Sequence, residues 1–466
     1  MSSESDEQED ILRAPHGQAA GKLGHKKQKF RKEWLSINIF KNWLQPLWSL
    51  VELFRNSDDA NKGATAIHIY TEVINSFISE NVPLNNIIGF ASDGCNTMMG
   101  SWNSVSSNFK NDLPGIFIQK CICHSLALCA SESCKVLPRK NEQRLIMADT
   151  IFDSLHDPLV LLNFKFLQWV LPKFTTMNEL FQSEKSEIAI LHSKMEEIYK
   201  ELLYSYMKRV DDPFQIDPNN QKFFLLPHSQ YLGLGVLKII SDPSFNISKE
   251  TLDYFYVTCR QFLIISCQQI KKRYDFNNSI LKNLTYVQPH KTLHSERLVS
   301  LISIFNDVPR IVSFYNAEEL QNIDSQWRKL ENFELSDTVK ALDDTEDFWV
   351  SLYQLQIDGE YPFKCVSEFI LRTLSLPHSS ADCEQVFSKV NLIKTKMRNK
   401  LGLESMNGLL LSSQCMKETS CIDFEPTKKM IDSMNLSMYE KEDVNIEKRP
   451  DIDEHNEEND MSLFLL

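Results

Sequence analysis

Between about Glu142 and Phe348 the sequence offers little but helical patterning, and this stretch limits the fold more than any other feature. Apolar residues recur there at three- and four-residue intervals, which puts them on one face of a helix. Breaks are expected at Pro158, Pro172, the 211–220 stretch, Pro227, Pro243 and the 285–292 loop. Proline inside a helix lacks a backbone donor and crowds the preceding turn. With 28 Phe against 13 Gly in 466 residues, bulky side chains are plentiful and glycine turns few, so the balance tilts further towards helix.

Upstream the period changes. Phe30, Trp34, Leu35, Ile37, Phe40, Trp43 and Leu44 keep helical spacing up to Pro46, and Leu47–Phe54 (LWSLVELF) reads as a buried strand. A helix over 64–79, a strand at Ile87–Ala91, a helix from Asn96 to Phe109, a strand at Ile116–Cys121 and a helix over His124–Cys134 follow. Alternating strands and helices of this kind predict an α/β layer. The fold class expected is α/β plus a large all-α part. A last helical segment is predicted from Ser379 to about Ser413. The ends, 1–28 and 417–466, are polar or acidic and predicted to be unstructured.

The net charge of −13 opposes binding to a phosphate backbone, so any nucleic-acid contact must come from local basic patches. Two are present. Lys22, Lys26, Lys27, Lys29, Arg31 and Lys32 lie together without an acid, and Lys394, Lys396, Arg398 and Lys400 alternate with neutral residues. The first run also reads as a nuclear import signal or as plain solvated surface. The 11 Cys are an odd number and scattered, which suits reduced thiols in the nucleus or cytoplasm. No apolar run approaches the roughly 18 residues of a membrane span, so no membrane partner is expected.

Three features bear on chemistry. Asp93 follows an apolar strand, with Gly94 allowing close approach and Asn96 and Thr97 available as helix caps; a turn is the simplest reading. Cys121, Cys123 and His124 sit at a strand-to-helix junction, where zinc ligation, a Cys/His nucleophile or simple packing would each suit them. In Leu376–Ser388, Ser379 with Asp382 predicts a capping box after Pro377, and Glu384 falls in the first helical turn. Phe387, Val390, Met397 and Leu401, leading to Leu409, Leu410 and Leu411, form an apolar stripe.

Taken in order, these features are similar to the core of hAT-superfamily transposases: Ile88–Gly100 (IGFASDGCNTMMG), then Lys120–His124 (KCICH), then Ser375–Leu411. The resemblance implies a ribonuclease H-like domain of DDE type, interrupted by a long helical insertion. It implies that Asp93 matches the second acid, Cys121 with His124 the C-x-x-H motif, and Glu384 the third acid. The C-terminal stretch would be the dimerisation region, using Phe387, Val390, Met397, Leu401 and Leu409–Leu411. The domains it implies are 29–141 as the first part of the core, 142–348 as the helical insertion and 349–416 as the dimerisation region that completes the core.

The sequence departs from that pattern in three places. The first two strands and their catalytic Asp are absent, and Asp58 and Asp59 follow the next strand instead. No paired Cys/His finger follows Trp43. The early insertion has Trp169 without a preceding Arg. A two-metal site missing one of three carboxylates binds Mg²⁺ weakly. The expectation is therefore a transposase-derived protein that has lost catalysis and keeps dimerisation, either with itself or with a related transposase-derived chain, and needs no cofactor. The alternatives are an active DDE transposase using Mg²⁺, a nuclear factor binding DNA weakly through its basic patches, or a truncated product.

Overall fold

A computed structural model describes residues 64–79, 81–137, 157–182, 185–245, 247–294, 297–395 and 401–415, with the pairs 50–51 and 464–465 and the single positions 425, 428 and 431. The described part is mostly helical, with a small two-stranded parallel sheet.

The sheet unit begins with α1 (Ala66–Ser79), whose Ala66, Ile69, Tyr70 and Val73 are buried at helical spacing. Strand β1 (Gly89–Ser92) follows, then α2 (Val105–Asp112), and β2 (Phe117–Lys120) pairs parallel to β1 from Gly89↔Phe117 to Ser92↔Lys120. Side chains alternate across the pleat. Phe90 and Ile118 face a core made by α1, α2, Met98 and Met99, whereas Phe117 packs on the other side against the helical body.

One expectation fails here. The helix over Asn96–Phe109 is two helices, Asn96–Met99 and α2, because the Ser104 hydroxyl caps a fresh start and exchanges a capping box with Ser107. Asn103 takes a positive φ of 49°, which turns the chain between them. Of the strand expected over Leu47–Phe54, only Leu50–Val51 is described. It pairs antiparallel with Phe464–Leu465 rather than joining the parallel sheet.

Helix α3 (Ile122–Cys134) leads from the sheet into the helical body, which includes α4 (Pro158–Phe181), α5 (Ile188–Tyr204), α6 (Leu234–Ser241) and α7 (Lys249–Arg273). Asp157 caps α4 by accepting from the Leu159 amide, and Pro158 occupies the first turn, where a missing donor costs nothing. Leu162, Phe166, Val170, Phe174, Met177 and Phe181 then form its buried stripe. The break expected at Pro172 does not occur. Pro172 lies on the exposed face, where the carbonyl it leaves unpaired can turn to water, and the stripe is continuous on both sides of it. Helices α3 and α7 cross with the hydroxyls of Ser133 and Ser266 2.8 Å apart.

The body continues through α8 (Ser279–Leu284), α9 (Ala317–Lys329), α10 (Thr345–Gln354) and α11 (Lys364–Leu374), all in one core. The boundary expected at 348/349 falls inside α10, where Phe348 and Trp349 are both fully buried. Trp349 stacks on Trp327 at 6.2 Å and donates from its indole to the Val287 carbonyl at 2.8 Å. The helical segment expected from Ser379 to Ser413 is two helices, α12 (Ala381–Ile393) and α13 (Leu403–Cys415), which pack on each other through Val386, Val390, Met406 and Leu410.

Candidate functional site

The parallel register sets the C-terminal ends of β1 and β2 side by side, the place where open α/β sheets collect functional groups. Asp93 follows β1 and Cys121 follows β2. The Cys121 amide donates to the Ser92 carbonyl at 2.7 Å, extending the ladder one residue. Asp93 is half-buried, and its Oδ1 accepts from the Ser92 hydroxyl at 3.4 Å and the Cys95 amide at 3.5 Å. These contacts form the turn that is the simplest reading of the sequence. The next helix is capped by Cys95 without a side-chain bond, so neither Asn96 nor Thr97 acts as its cap. Nor does Gly94 make room for a close approach, since a Cβ there would meet nothing within 4 Å.

Cys121 is the better-built position. Its side chain is fully buried at the start of α3, and its Sγ accepts the Ser380 amide at 3.3 Å. The thiol is pulled down to about 5: a hydrogen bond from the Cys123 thiol acts most strongly, burial opposes it, and the Ser380 hydroxyl and amide add to the lowering. The Cys123 Sγ also lies 3.9 Å from the Asn178 carbonyl on α4, so its one proton is shared between the two acceptors. An anion without solvent access is poorly placed as a nucleophile. It is well placed to hold a backbone amide, so of the three uses open to this motif, packing of the junction fits the geometry.

Residues 376–380 close over this junction. Pro377 lies against β1 so tightly that a Cβ on Gly89 would fall 2.5 Å from its Cδ. The His378 ring stands edge-on to Phe181 at 6.2 Å with its Nε2 buried and unpartnered. Burial draws this imidazole down to about 4, against a hydrogen bond to the Phe181 carbonyl that favours the charged form. The Ser379 hydroxyl donates to the same carbonyl at 3.1 Å, and the Ser186 hydroxyl donates to Leu374. Helix α12 starts at Ala381 with Ser380 at its N-cap making no side-chain cap bond; the Ser379 hydroxyl accepts the Ala381 amide at 3.5 Å while donating to α4, and the Asp382 half of the expected capping box lies outside the described residues.

Helix α12 therefore starts at the strand ends that carry Asp93 and Cys121, with Glu384 in its first turn. The Glu384 side chain lies outside the described residues, as do Met397, Lys396, Arg398 and Lys400 and the whole run Lys26, Lys27, Lys29, Arg31 and Lys32. His124 is half-buried on α3, and Lys394 follows the last turn of α12. Among the described residues, no group of three His, Cys, Asp or Glu side chains is placed to hold a metal ion. A two-metal site needs about three carboxylates, and of the expected set only Asp93 is described, so the described residues do not make a Mg²⁺ site.

The apolar stripe divides. Val390 and Leu410 are buried between α12 and α13, Leu401 packs against them, Phe387 is half-buried, and Leu409 and Leu411 remain exposed. The sequence reading missed three residues. Gly89 and Pro377 carried no local signal of their contact. Arg310, at Nε and Nη2, donates to the carbonyls of Ile87, Leu84 and Asn85 and ties the helical body to the lead-in of β1. No protein-family model matches the chain, and no curated protein is significantly similar to it.

Proposed function

We propose that the chain is a transposase-derived protein of hAT type that has lost strand-transfer catalysis and retains self-association through its C-terminal hairpin. The observation that carries this reading is the docking of residues 376–380 on the strand ends, with Pro377 against Gly89 and the Ser380 amide on Cys121. It brings the distant Ser375–Leu411 segment to Ile88–Gly100 and Lys120–His124, the three segments that carry the resemblance. A sheet unit followed by a long helical insertion and then by a helix that returns to the strand ends is in keeping with an interrupted ribonuclease H-like core, and β1, β2 and α12 have that order.

Loss of catalysis follows from the donor set. Of the three acids that the resemblance implies, the sequence keeps Asp93 and Glu384, and a site missing one of three carboxylates binds Mg²⁺ too weakly to hold two ions in line with a scissile phosphate. Self-association rests on apolar surface left over once the hairpin has closed. Leu392 is 78% exposed on α12, and Leu409 and Leu411 flank the buried Leu410 on α13. A second copy covering these leucines would remove apolar area from water at about 25 cal/mol per Å².

Light scattering on the full chain tests this. The parent chain is expected to be a dimer at micromolar concentration, and Leu392→Glu with Leu409→Glu is expected to shift it at least tenfold towards monomer with helix content unchanged. A parent chain that is monomeric at that concentration ends the proposal. Mg²⁺-dependent nicking of DNA, abolished by Asp93→Asn, would replace it with the catalytic alternative.

A further inference from the structure

Beside the junction, on the far side of β2, a cleft of about 460 Å³ opens between the sheet and the C-terminal end of α7. Its walls carry Lys120 from the end of β2 and Lys271, Lys272 and Arg273 from the last turn of α7. Asp275 is the one carboxylate among the lining residues, and it accepts the Asn277 amide at 2.8 Å in a local turn. Among the described residues, none of the four cations has a carboxylate within ion-pair distance. Glu132 is close enough to feel Lys272 and Arg273 but is paired with Lys135 at 2.5 Å.

The cations are also held, not merely clustered. Lys271 donates its ammonium to the Ile216 carbonyl at 2.9 Å, and Arg273 donates to Gln269 one turn back, so both stems are fixed. Lys120 and Lys272 are exposed and free to close on a ligand. Part of this charge complements the negative end of the α7 dipole. That effect does not account for Lys120, which arrives from another element, or for the concave shape. In a chain of net charge −13, four cations facing one hydrogen-bonded carboxylate make a local positive well. Phe214 lines the wall half-buried, its ring stacked on Phe276 at 4.5 Å with the Lys200 ammonium 4.9 Å from its centre, so the wall is rigid.

We propose that this cleft binds phosphate groups, carried by a nucleic-acid strand or a free nucleotide. None of its four cations belongs to the basic runs singled out in the sequence. A cleft of this size has room for one or two phosphate groups.

The test uses the full chain and a short fluorescein-labelled oligothymidylate in a fluorescence anisotropy titration at two salt concentrations. Lys120→Glu with Lys272→Glu is expected to weaken binding by about tenfold or more and to lower the salt slope by about two. Both side chains are exposed, and the milder Lys120→Gln with Lys272→Gln is expected to give a smaller loss in the same direction. The charge-matched control, Lys329→Glu with Lys340→Glu, reverses two exposed lysines away from the cleft and is expected to bind as the parent does. An equal loss in the control, unchanged binding in the cleft variant, or no binding by the parent would overturn the proposal. Competition by thymidine triphosphate and by unlabelled oligonucleotides of increasing length separates the two sources. Affinity rising with length assigns the cleft to a strand, and triphosphate competing as well as the longest oligonucleotide assigns it to a nucleotide.

Discussion

The helical body and the α12–α13 hairpin are both built from apolar stripes at helical spacing, yet they stand on very different foundations. In the body, Trp327, Trp349, Phe348, Phe363 and Phe369 all sit in one continuous core that runs from Ile88 to Ala381. Among the described residues the hairpin's own cluster has four buried members, and Leu392, Leu409 and Leu411 are left in water. A core so small cannot offset the entropy of ordering two helices. The hairpin therefore depends on what lies at its two ends: the 376–380 junction where it leaves the body, and the apolar surface that a second copy would cover. Equal patterning in sequence thus yields a self-sufficient unit in one region and a dependent one in the other.

The sharpest way to break this contrast is to cut into each core. Trp349→Ala removes a fully buried indole that stacks on Trp327 and donates to Val287, and is expected to cost about 3–5 kcal/mol of global stability, read from chemical denaturation. Leu410→Ala is expected to cost about 2 kcal/mol locally. Hydrogen exchange should show α12 and α13 losing protection while the melting temperature of the body stays near that of the parent. An equal fall in both would mean that the hairpin is part of the body's cooperative unit, and the comparison would fail.

A smaller effect is expected at the junction, and it depends on pH. The Cys121 thiol is lowered from its ordinary 9.0 to about 5, so its anionic form is favoured by folding. The contribution is full above about pH 9, declines as pH falls, and is gone below about 5. His378, drawn down from 6.5 to about 4, is favoured neutral in the fold, so acidification through that window also costs stability. Both groups act in the same sense. Cys121→Ser is expected to flatten the rise in stability between about pH 5 and 9, and His378→Gln to flatten it between about pH 4 and 6.5, as followed by thermal melts across pH. Slopes identical to the parent's would show that the junction does not titrate.

Much of the secondary structure was legible because the signals are local. The spacing of Leu162, Phe166, Val170 and Phe174 marks a helix whatever surrounds it, and the apolar runs before Asp93 and Cys121 mark strands. Pro172 misled because whether a proline breaks a helix depends on which way its face points. The stripe over Asn96–Phe109 misled because Ser104 and Ser107 satisfy the backbone donors of a new start. At the candidate site, the residues were visible but their roles were not. Cys121 is a generic thiol until Ser380, distant in sequence, brings an amide to it, and Asp93 in its turn makes the same local bonds in any fold.

The helical stretch between Pro158 and Phe348, the few glycines and the two strands followed by Asp93 and Cys121 were determined by the sequence itself. Backbone hydrogen bonding and side-chain periodicity act over only a few residues. Only the tertiary structure decided that Pro377 closes on Gly89, that Val390 and Leu410 are consumed inside the hairpin, and that Lys120 faces Lys271, Lys272 and Arg273 across a cleft. These contacts depend on how distant elements pack, and no local pattern of charge or apolarity encodes which distant partner a side chain will meet.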